Sequence, residues 1–256
     1  LGEMHENAED HRWQLQTLAA LHAVNPHLAI GMEAFPRRLQ PILDRWSAGE
    51  LDEETFLNLT QWRKVWGYDP AFYLPIMHFA RMNRLPLIAL NVERALVSRV
   101  ARQGWAAVPD DEREGVGEPA PASEGYLRRL EDVAAGHGGE RGSPDFQRFV
   151  AAQSLWDRAM AEAAAAQHRR DGRTVVAIMG RGHVERRDGV IRQLTDLGLP
   201  DAVVLLPWSK GRPCNRPAEA AADAMFGVSA YETPTRRPRL GGELRVADGG
   251  SGVATV

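Results

Sequence analysis

Two glycine–histidine tetrads carry the first chemical signal in this chain: Gly2-Glu3-Met4-His5 near its start and Gly180-Arg181-Gly182-His183 far downstream. Each follows an apolar run, as does Glu33 after Leu28-Ala29-Ile30-Gly31-Met32, and as do Asn91 and Glu93 after Pro86-Leu87-Ile88-Ala89-Leu90. An imidazole beside a carboxylate is what a transition-metal ion, a haem iron or a general acid–base pair requires. The glycines are read as sharp turns that leave room for a ligand. Each residue alone has a plain structural use: a histidine after a strand is commonly hydrogen-bonded within the core, and Glu33 has Arg37 and Arg38 close by in sequence. Glu3 is harder to assign that way, because a carboxylate between Gly2 and His5 is expected to sit partly buried beside the imidazole. Taken together, four strand ends bearing imidazole, carboxylate or carboxamide groups are expected to form one shared site. His5, His183, Glu3 and Glu33 are its candidate ligands for a divalent ion such as Mn, Co or Zn. In a hydrolase, Glu3 or Glu33 would instead activate water.

A second cluster is aromatic: Trp62, Trp66, Tyr68, Phe72 and Tyr73, interrupted by Gly67, Asp69 and Pro70. It reads either as a helical corner plugged by core side chains or as a flat apolar wall for a planar ligand. In the second reading Tyr68 or Tyr73 would reach a metal, since a tyrosine oxygen is an axial ligand type for ferric haem.

The elements that must position these groups follow from hydropathy patterning. Continuous apolar runs at 28–32, 86–90, 174–179 and 202–206 alternate with amphipathic stretches at 8–24, 37–48, 71–83, 146–168 and 188–197. This is the pattern of an α/β fold with a mostly parallel central sheet covered by helices on both faces. Leu1-Gly2 reads as the clipped end of a further strand, with any signal segment lying outside this chain. The run at 202–206 is expected to stop at Pro207, and Asn7 and Asp52 are placed to cap helices. In an open parallel sheet, ligands bind beyond the carboxyl ends of the strands, which is where the tetrads fall.

Two regions depart from the pattern. Residues 104–143 are rich in Gly, Pro, Ala and charge, and are expected to form a mobile excursion, a lid or an insertion, with a short helix near 126–135. A domain over 1–212 is followed by an irregular Pro- and Ala-rich tail over 213–256. Within it, 239–246 reads as a hairpin arm or as the opening strand of a truncated PDZ-like module.

Composition excludes several classes. The 256 residues carry a net charge of -3 and no basic stripe, which argues against nucleic-acid binding. No apolar run approaches the roughly 18 residues of a membrane helix. The single cysteine, Cys214, precludes an internal disulfide or a multi-cysteine metal site. No Gly-x-Ser-x-Gly, Walker or Gly-x-Gly-x-x-Gly pattern is present, so nucleophilic hydrolysis and nucleotide binding are poor fits.

Gly2-Glu3-Met4-His5-Glu6-Asn7, with His11 and Gln14, resembles the opening motif of the ChaN family of iron-regulated, haem-binding proteins. Further blocks are similar in the same order: Gly31-Met32-Glu33-Ala34-Phe35-Pro36 with Gln40, Trp62 through Trp66 with Tyr73-Leu74-Pro75, Asn91-Val92-Glu93-Arg94, Trp156-Asp157-Arg158-Ala159-Met160-Ala161 and Gly180-Arg181-Gly182-His183-Val184. The resemblance spans about 1–208 and implies a haem-binding-uptake, Tiki-like α/β fold with paired Gly-x-x-His motifs. It further implies haem as the cofactor, bound between two subunits of a homodimer through Tyr and His. The implied role is in bacterial iron uptake at the cell envelope or periplasm, often as a lipoprotein; composition leaves a cytoplasmic location open. His5, His183, Glu3 and Glu33 are the motif matches. Tyr68 and Tyr73 stay candidates for the axial ligand, and Arg181 and Arg37 for the haem propionates. Tiki-like relatives are metal-dependent proteases and others are esterases, so a metal-dependent hydrolase using the paired tetrads is the alternative.

Overall fold

The computed structural model describes residues 1–135, 140–209 and 221–229. In chain order its elements are β1 (Gly2–Glu3), α1 (Ala8–Val24), β2 (Leu28–Pro36), α2 (Gln40–Ser47), α3 (Glu53–Leu59), α4 (Trp62–Val65), α5 (Pro70–Met82) and β3 (Leu87–Asn91). There follow α6 (Arg94–Gln103), α7 (Glu124–Ala135), α8 (Pro144–Asp171), β4 (Thr174–Gly180), α9 (Val190–Asp196), β5 (Leu205–Ser209) and β6 (Ala224–Val228). Short 3-10 turns at Arg37–Leu39 and Arg181–His183 follow β2 and β4.

The main sheet has the order β1-β4-β2-β3, and every pairing in it is parallel. All nine residues of β2 are buried, as a central strand between two helical layers requires. Alternation along β2 decides which layer each residue meets. Leu28, Ile30, Met32 and Ala34 join the core built with α1, α2 and α5, whereas Ala29 joins Ile88, Leu90, Met160 and Met179 on the side of α8 and α9. The first layer is locked by aromatic contacts among Phe35, Trp46, Phe56 and Trp62. Trp46 is fully buried and satisfies its indole by donating to the Met77 carbonyl at 2.9 Å. The free edge of β3 is closed by a side chain: Gln40 donates to the Leu87 carbonyl and accepts from the Ala89 amide, both at 2.8 Å. A side-chain amide thus stands in for a neighbouring strand and blunts the edge.

The helix starts follow the expected local chemistry. Asn7 caps α1 by accepting from the Glu9 amide, and Asp52 caps α3 by accepting from the Thr55 amide. Glu33 lies inside β2, which runs three residues past it to Pro36, and not in the loop after a shorter strand. Pro207 does not stop its strand either. It lies inside β5, opposite Phe226 of β6, where the ladder runs on one side. β6 itself comes from the stretch read from sequence as tail. Cys214 and the stretch at 239–246 lie outside the described residues.

In its described residues the excursion is packed against the body of the fold. Val108 and Val116 are buried with Val92, Leu96, Val97 and Val100, and Tyr126 and Leu130 are buried with Phe146. Arg37 anchors it to the body, donating to the Glu114 carbonyl and to the Ala159 carbonyl of α8, each at 2.9 Å. Nearby, the Gly117 amide donates to Glu162 at 3.0 Å. Arg37→Ala removes two charge-assisted hydrogen bonds and is expected to cost about 2 kcal/mol. Urea unfolding should show that loss, and amide exchange at 105–117 should accelerate; unchanged exchange there would mean that Arg37 is not the anchor.

Candidate functional site

β1 is only two residues long, yet it places the first tetrad beside the second. Gly2 is opposite Met179 and Glu3 opposite Gly180. Neither first glycine of the tetrads adopts a left-handed backbone; both lie where other groups approach closely. A Cβ on Gly2 would meet Leu206 Cδ2 at 2.4 Å and the Arg181 Cα at 3.0 Å. A Cβ on Gly180 would meet His5 Cε1 at 3.0 Å and Nε2 at 3.1 Å. The space these glycines leave is filled by the protein itself, which corrects their reading as room for a ligand. The His5 ring lies directly over the end of β4.

Glu3 is 2% exposed and lies at the centre of the first half of the site. Its Oε1 accepts from the Tyr73 hydroxyl at 2.7 Å and faces His5 Nδ1 at 2.9 Å, while its Oε2 is 3.3 Å from His11 Nδ1. The other nitrogen of His11 lies 3.1 Å from the His5 carbonyl, which fixes the turn that carries His5. Asp10 steadies the same turn by accepting from the Met4 amide at 2.9 Å. His5 is therefore held by Nδ1, with Nε2 over Gly180. Its ring is about a quarter exposed, with Trp66 edge-on at 4.8 Å and Tyr68 tilted against it at 4.9 Å. Burial opposes charge on His5, but the hydrogen bond to Glu3 and the nearby Glu33 carboxylate outweigh it and raise its pKa above the ordinary value.

The second half mirrors the first. His183 is buried, with Nδ1 2.7 Å from Asp157 Oδ1 and Nε2 3.5 Å from Glu33 Oε1. Asp157 is wholly buried on α8 and accepts from the Tyr126 hydroxyl at 2.6 Å through its other oxygen. Glu33 Oε2 accepts from the Gly180 amide at 2.7 Å. Burial alone would discharge His183, but Glu33 and Asp157 on either side push its pKa up to about 10, with Nδ1 hydrogen-bonded to Asp157 and Nε2 facing Glu33. Burial would raise Glu33, and the charges of His183 and His5 with the Gly180 hydrogen bond bring its pKa below the ordinary carboxylate value. Burial pushes the Asp157 carboxyl upward, opposed by the donors His183 and Tyr126. The backbone just beyond is unusual. Arg186 and Arg187 have φ of 61° and 58°, left-handed values that cluster where surrounding structure enforces strain.

The strand ends of β1, β2 and β4 thus bring His5, Glu3, Glu33 and His183 together. That of β3 does not contribute: Asn91 donates to the Glu33 carbonyl and accepts from the Val92 amide, and Glu93 pairs with Arg38 at the surface. Glu33 pairs with neither Arg37 nor Arg38. Arg181 bonds Glu185 at 3.2 Å, so the two occupy each other at the rim, and Arg37 is spent on the excursion. The expected set of His5, His183, Glu3 and Glu33 around a bare ion is not what forms, because Glu3 sits behind His5 on the Nδ1 side. Among the described residues, no group of three or more His, Cys, Asp or Glu is arranged to hold a metal ion. The aromatic cluster divides between its two readings. Trp62 and Tyr73 belong to the core, while the partly exposed Trp66 and Tyr68 form a wall against His5. Tyr73 is 1% exposed and donates to Glu3, and burial raises its pKa well above the ordinary phenol value. Its hydroxyl is turned to Glu3 and not to solvent, whereas Tyr68 is partly exposed. Asp157 and Tyr126 were not identified from sequence as site residues. The available signal was a carboxylate at 157 on the apolar stripe of the long helix, between Gln153 and Met160.

A family model for haem-binding uptake, Tiki superfamily, ChaN, matches residues 1–194. A solved structure of cofacial heme binding to ChaN of Campylobacter jejuni superposes with a TM-score of 0.65 at 18% identity, over 83% of this chain and 81% of that one, a likeness of fold. RRSP, a MARTX toxin effector domain from Vibrio vulnificus, gives a TM-score of 0.44 at 18% identity over 76% of this chain and 31% of that one. The type III effector HopBA1 gives 0.49 at 10% identity over 88% and 85%. No curated protein matches the sequence.

Two outcomes follow from the electrostatics and the packing. The folded pKa of His183, about 10, lies above the ordinary 6.5, so its pairing contributes fully below 6.5 and is lost as pH rises toward 10. Unfolding free energy measured by urea over that window should fall in the wild type and fall less in His183→Gln; parallel curves would refute the buried imidazolium. At Gly189, φ is 57° and an added Cβ would lie 2.4 Å from the His183 carbonyl and 3.0 Å from Asp157 Oδ1. Gly189→Ala should therefore cost at least about 2 kcal/mol by the same measurement, and a neutral effect would show that the loop behind His183 is free to shift.

Proposed function

The chain belongs to the haem-binding-uptake ChaN family of the Tiki superfamily, and from that premise we propose that it binds haem at the rim formed by the ends of β1, β2 and β4, in the service of bacterial iron acquisition. The observation that carries this reading is the setting of His5. A buried carboxylate holds its Nδ1, its Nε2 is the uncommitted nitrogen, and two partly exposed aromatic rings pack around it. A carboxylate behind a histidine fixes the tautomer and raises ligand basicity, which is the support a metal-ligating imidazole ordinarily has. The donor set therefore fits a porphyrin iron better than a bare ion: one supported imidazole, a neighbouring phenol and an apolar wall, without a closed set of carboxylates.

The residues take distinct roles. His5 Nε2 and the Tyr68 oxygen are the candidate axial ligands; Trp66 and Tyr68 supply the flat apolar surface. His183 is no axial ligand in this arrangement, since both its nitrogens face carboxylates; it provides a fixed positive charge beside Glu33 at the polar side of the site. Ferric haem, when bound, supplies an iron that accepts imidazole or phenolate ligands. The chain's own contribution is orientation, charge and exclusion of water. A homodimer holding haem between cofacial surfaces, and an envelope location, are part of this proposal through the family resemblance.

One observation favours the second reading, a hydrolase. His183 oriented by a buried aspartate is the arrangement of a general acid–base histidine. Its metal-dependent form lacks a ligand set among the described residues.

Titration of the purified protein with ferric haem, followed by absorption and paired with metal analysis, tests the proposal. A saturable Soret band is expected, with affinity lowered at least about tenfold in His5→Ala, about tenfold in Glu3→Gln through loss of the supporting carboxylate, and a displaced band in Tyr68→Phe. Unsaturable broadening, or equal affinity in His5→Ala, would end this reading. Ester or peptide hydrolysis by the haem-free protein that is lost in His183→Ala would establish the second.

A further inference from the structure

Behind His183 lies a chain of two groups, one of which comes from the excursion. Tyr126 on α7 donates its hydroxyl to Asp157 Oδ2 at 2.6 Å, and Asp157 Oδ1 holds His183 Nδ1 at 2.7 Å. The order repeats that of Tyr73, Glu3 and His5, where the hydroxyl-to-carboxylate distance is 2.7 Å and the carboxylate-to-imidazole distance 2.9 Å. The two chains are built from different elements: β1 and α5 in one, α7, α8 and the turn after β4 in the other. Each spends Nδ1 on a buried carboxylate, so that Nε2 is the nitrogen turned toward the site.

The excursion also grips the loop that follows His183. Ser123 Oγ donates to Asp188 at 2.7 Å, and the guanidinium of Arg129 lies 3.4 Å from the same carboxylate. Both backbone groups of Ala120 are taken up by the Gln193 side chain, at 2.9 and 3.0 Å. Gly189 is packed between these contacts, against the His183 carbonyl and Asp157. Neither Asp157 nor Tyr126 reaches the surface, so anything they do at the rim passes through His183.

We propose that Asp157 and Tyr126 are positioning residues that aim His183 at Glu33, and that residues 120–129 are thereby a working part of the site. The consequence for haem rests on the reading given under Proposed function; the aiming of His183 does not, and the experiment separates the two. The full chain, labelled with 15N at histidine and free of haem, is compared by NMR as wild type, Tyr126→Phe and Asp157→Asn, with His183→Gln to assign the signals.

In the wild type the His183 Nδ1–H proton should appear far downfield and exchange slowly with solvent. It should move upfield in Tyr126→Phe and be lost to exchange in Asp157→Asn, with the His5 signals unmoved in both. Titration with ferric haem should then show affinity reduced in Asp157→Asn and by less in Tyr126→Phe, through the charge and placement of His183 beside Glu33, with the Soret position of the wild type kept. Tyr126→Phe removes one hydroxyl and carries the test if Asp157→Asn does not fold. An unmoved His183 signal in a folded Tyr126→Phe overturns the positioning role. Wild-type affinity in both variants overturns the link from the excursion to the site. A wild type that binds no haem overturns the haem reading alone, and the NMR comparison still decides the positioning role.

Discussion

Glu3, Glu33 and Asp157 are withdrawn from water at the carboxyl end of the sheet, and the architecture around them follows from keeping them there. An ionised carboxylate moved into protein interior loses several kcal/mol of hydration even after relaxation, unless donors replace the water. Each hydrogen bond to a charged group returns about 1.5–3 kcal/mol, so two or three donors per carboxylate are needed. Glu3 has Tyr73 and His5 on one oxygen, while its other oxygen is buried without a hydrogen bond, 3.3 Å from the His11 ring; Asp157 has Tyr126 and His183; Glu33 has the Gly180 amide, with the His183 ring 3.5 Å away as an ion pair. The imidazoles are thus required by the carboxylates as much as the reverse. Their ring orientations are set before any ligand arrives.

This constraint explains why the tetrads contain glycine where they do. Parallel pairing sets Glu3 beside Gly180, and the His5 ring must then lie over the backbone of β4 for Nδ1 to reach Glu3. A Cβ at 180 would crowd the ring at 3.0–3.1 Å, and one at 2 would displace the end of the Leu206 side chain of β5 from β1. It also explains the strain just after His183, where consecutive left-handed arginines and Gly189 curl the chain back to bring α9 under the excursion. The excursion is a third layer on α8, and it supplies the hydroxyl that completes the environment of Asp157.

The same geometry separates the two tyrosines and the two histidines that the sequence offers as equivalents. Tyr73 is a buried donor and Tyr68 is partly exposed; both nitrogens of His183 face carboxylates and His5 keeps one nitrogen uncommitted. His5, Tyr68 and Trp66 are the partly exposed members of the cluster, while His183 and Glu33 beside them are buried.

The amino-acid sequence by itself determined the α/β class, the run of strands and helices, the caps at Asn7 and Asp52, and the convergence of both tetrads and Glu33 at the strand ends. These depend on local hydropathy, on turn chemistry and on the rule that parallel strands finish on one side, all of which are written in short stretches of chain. It left open which residues lie in front of an imidazole and which behind it. It placed the end of a strand at Pro207, which sits within β5, and it did not show that the described part of 104–135 is packed. Those are long-range facts: the partner of Asp157 is 26 residues away through His183, and that of Tyr73 is 70 residues away through Glu3. No period or motif in a single chain encodes such a distance. Only when the strands were aligned did the buried carboxylates choose their donors, and that choice decided the site.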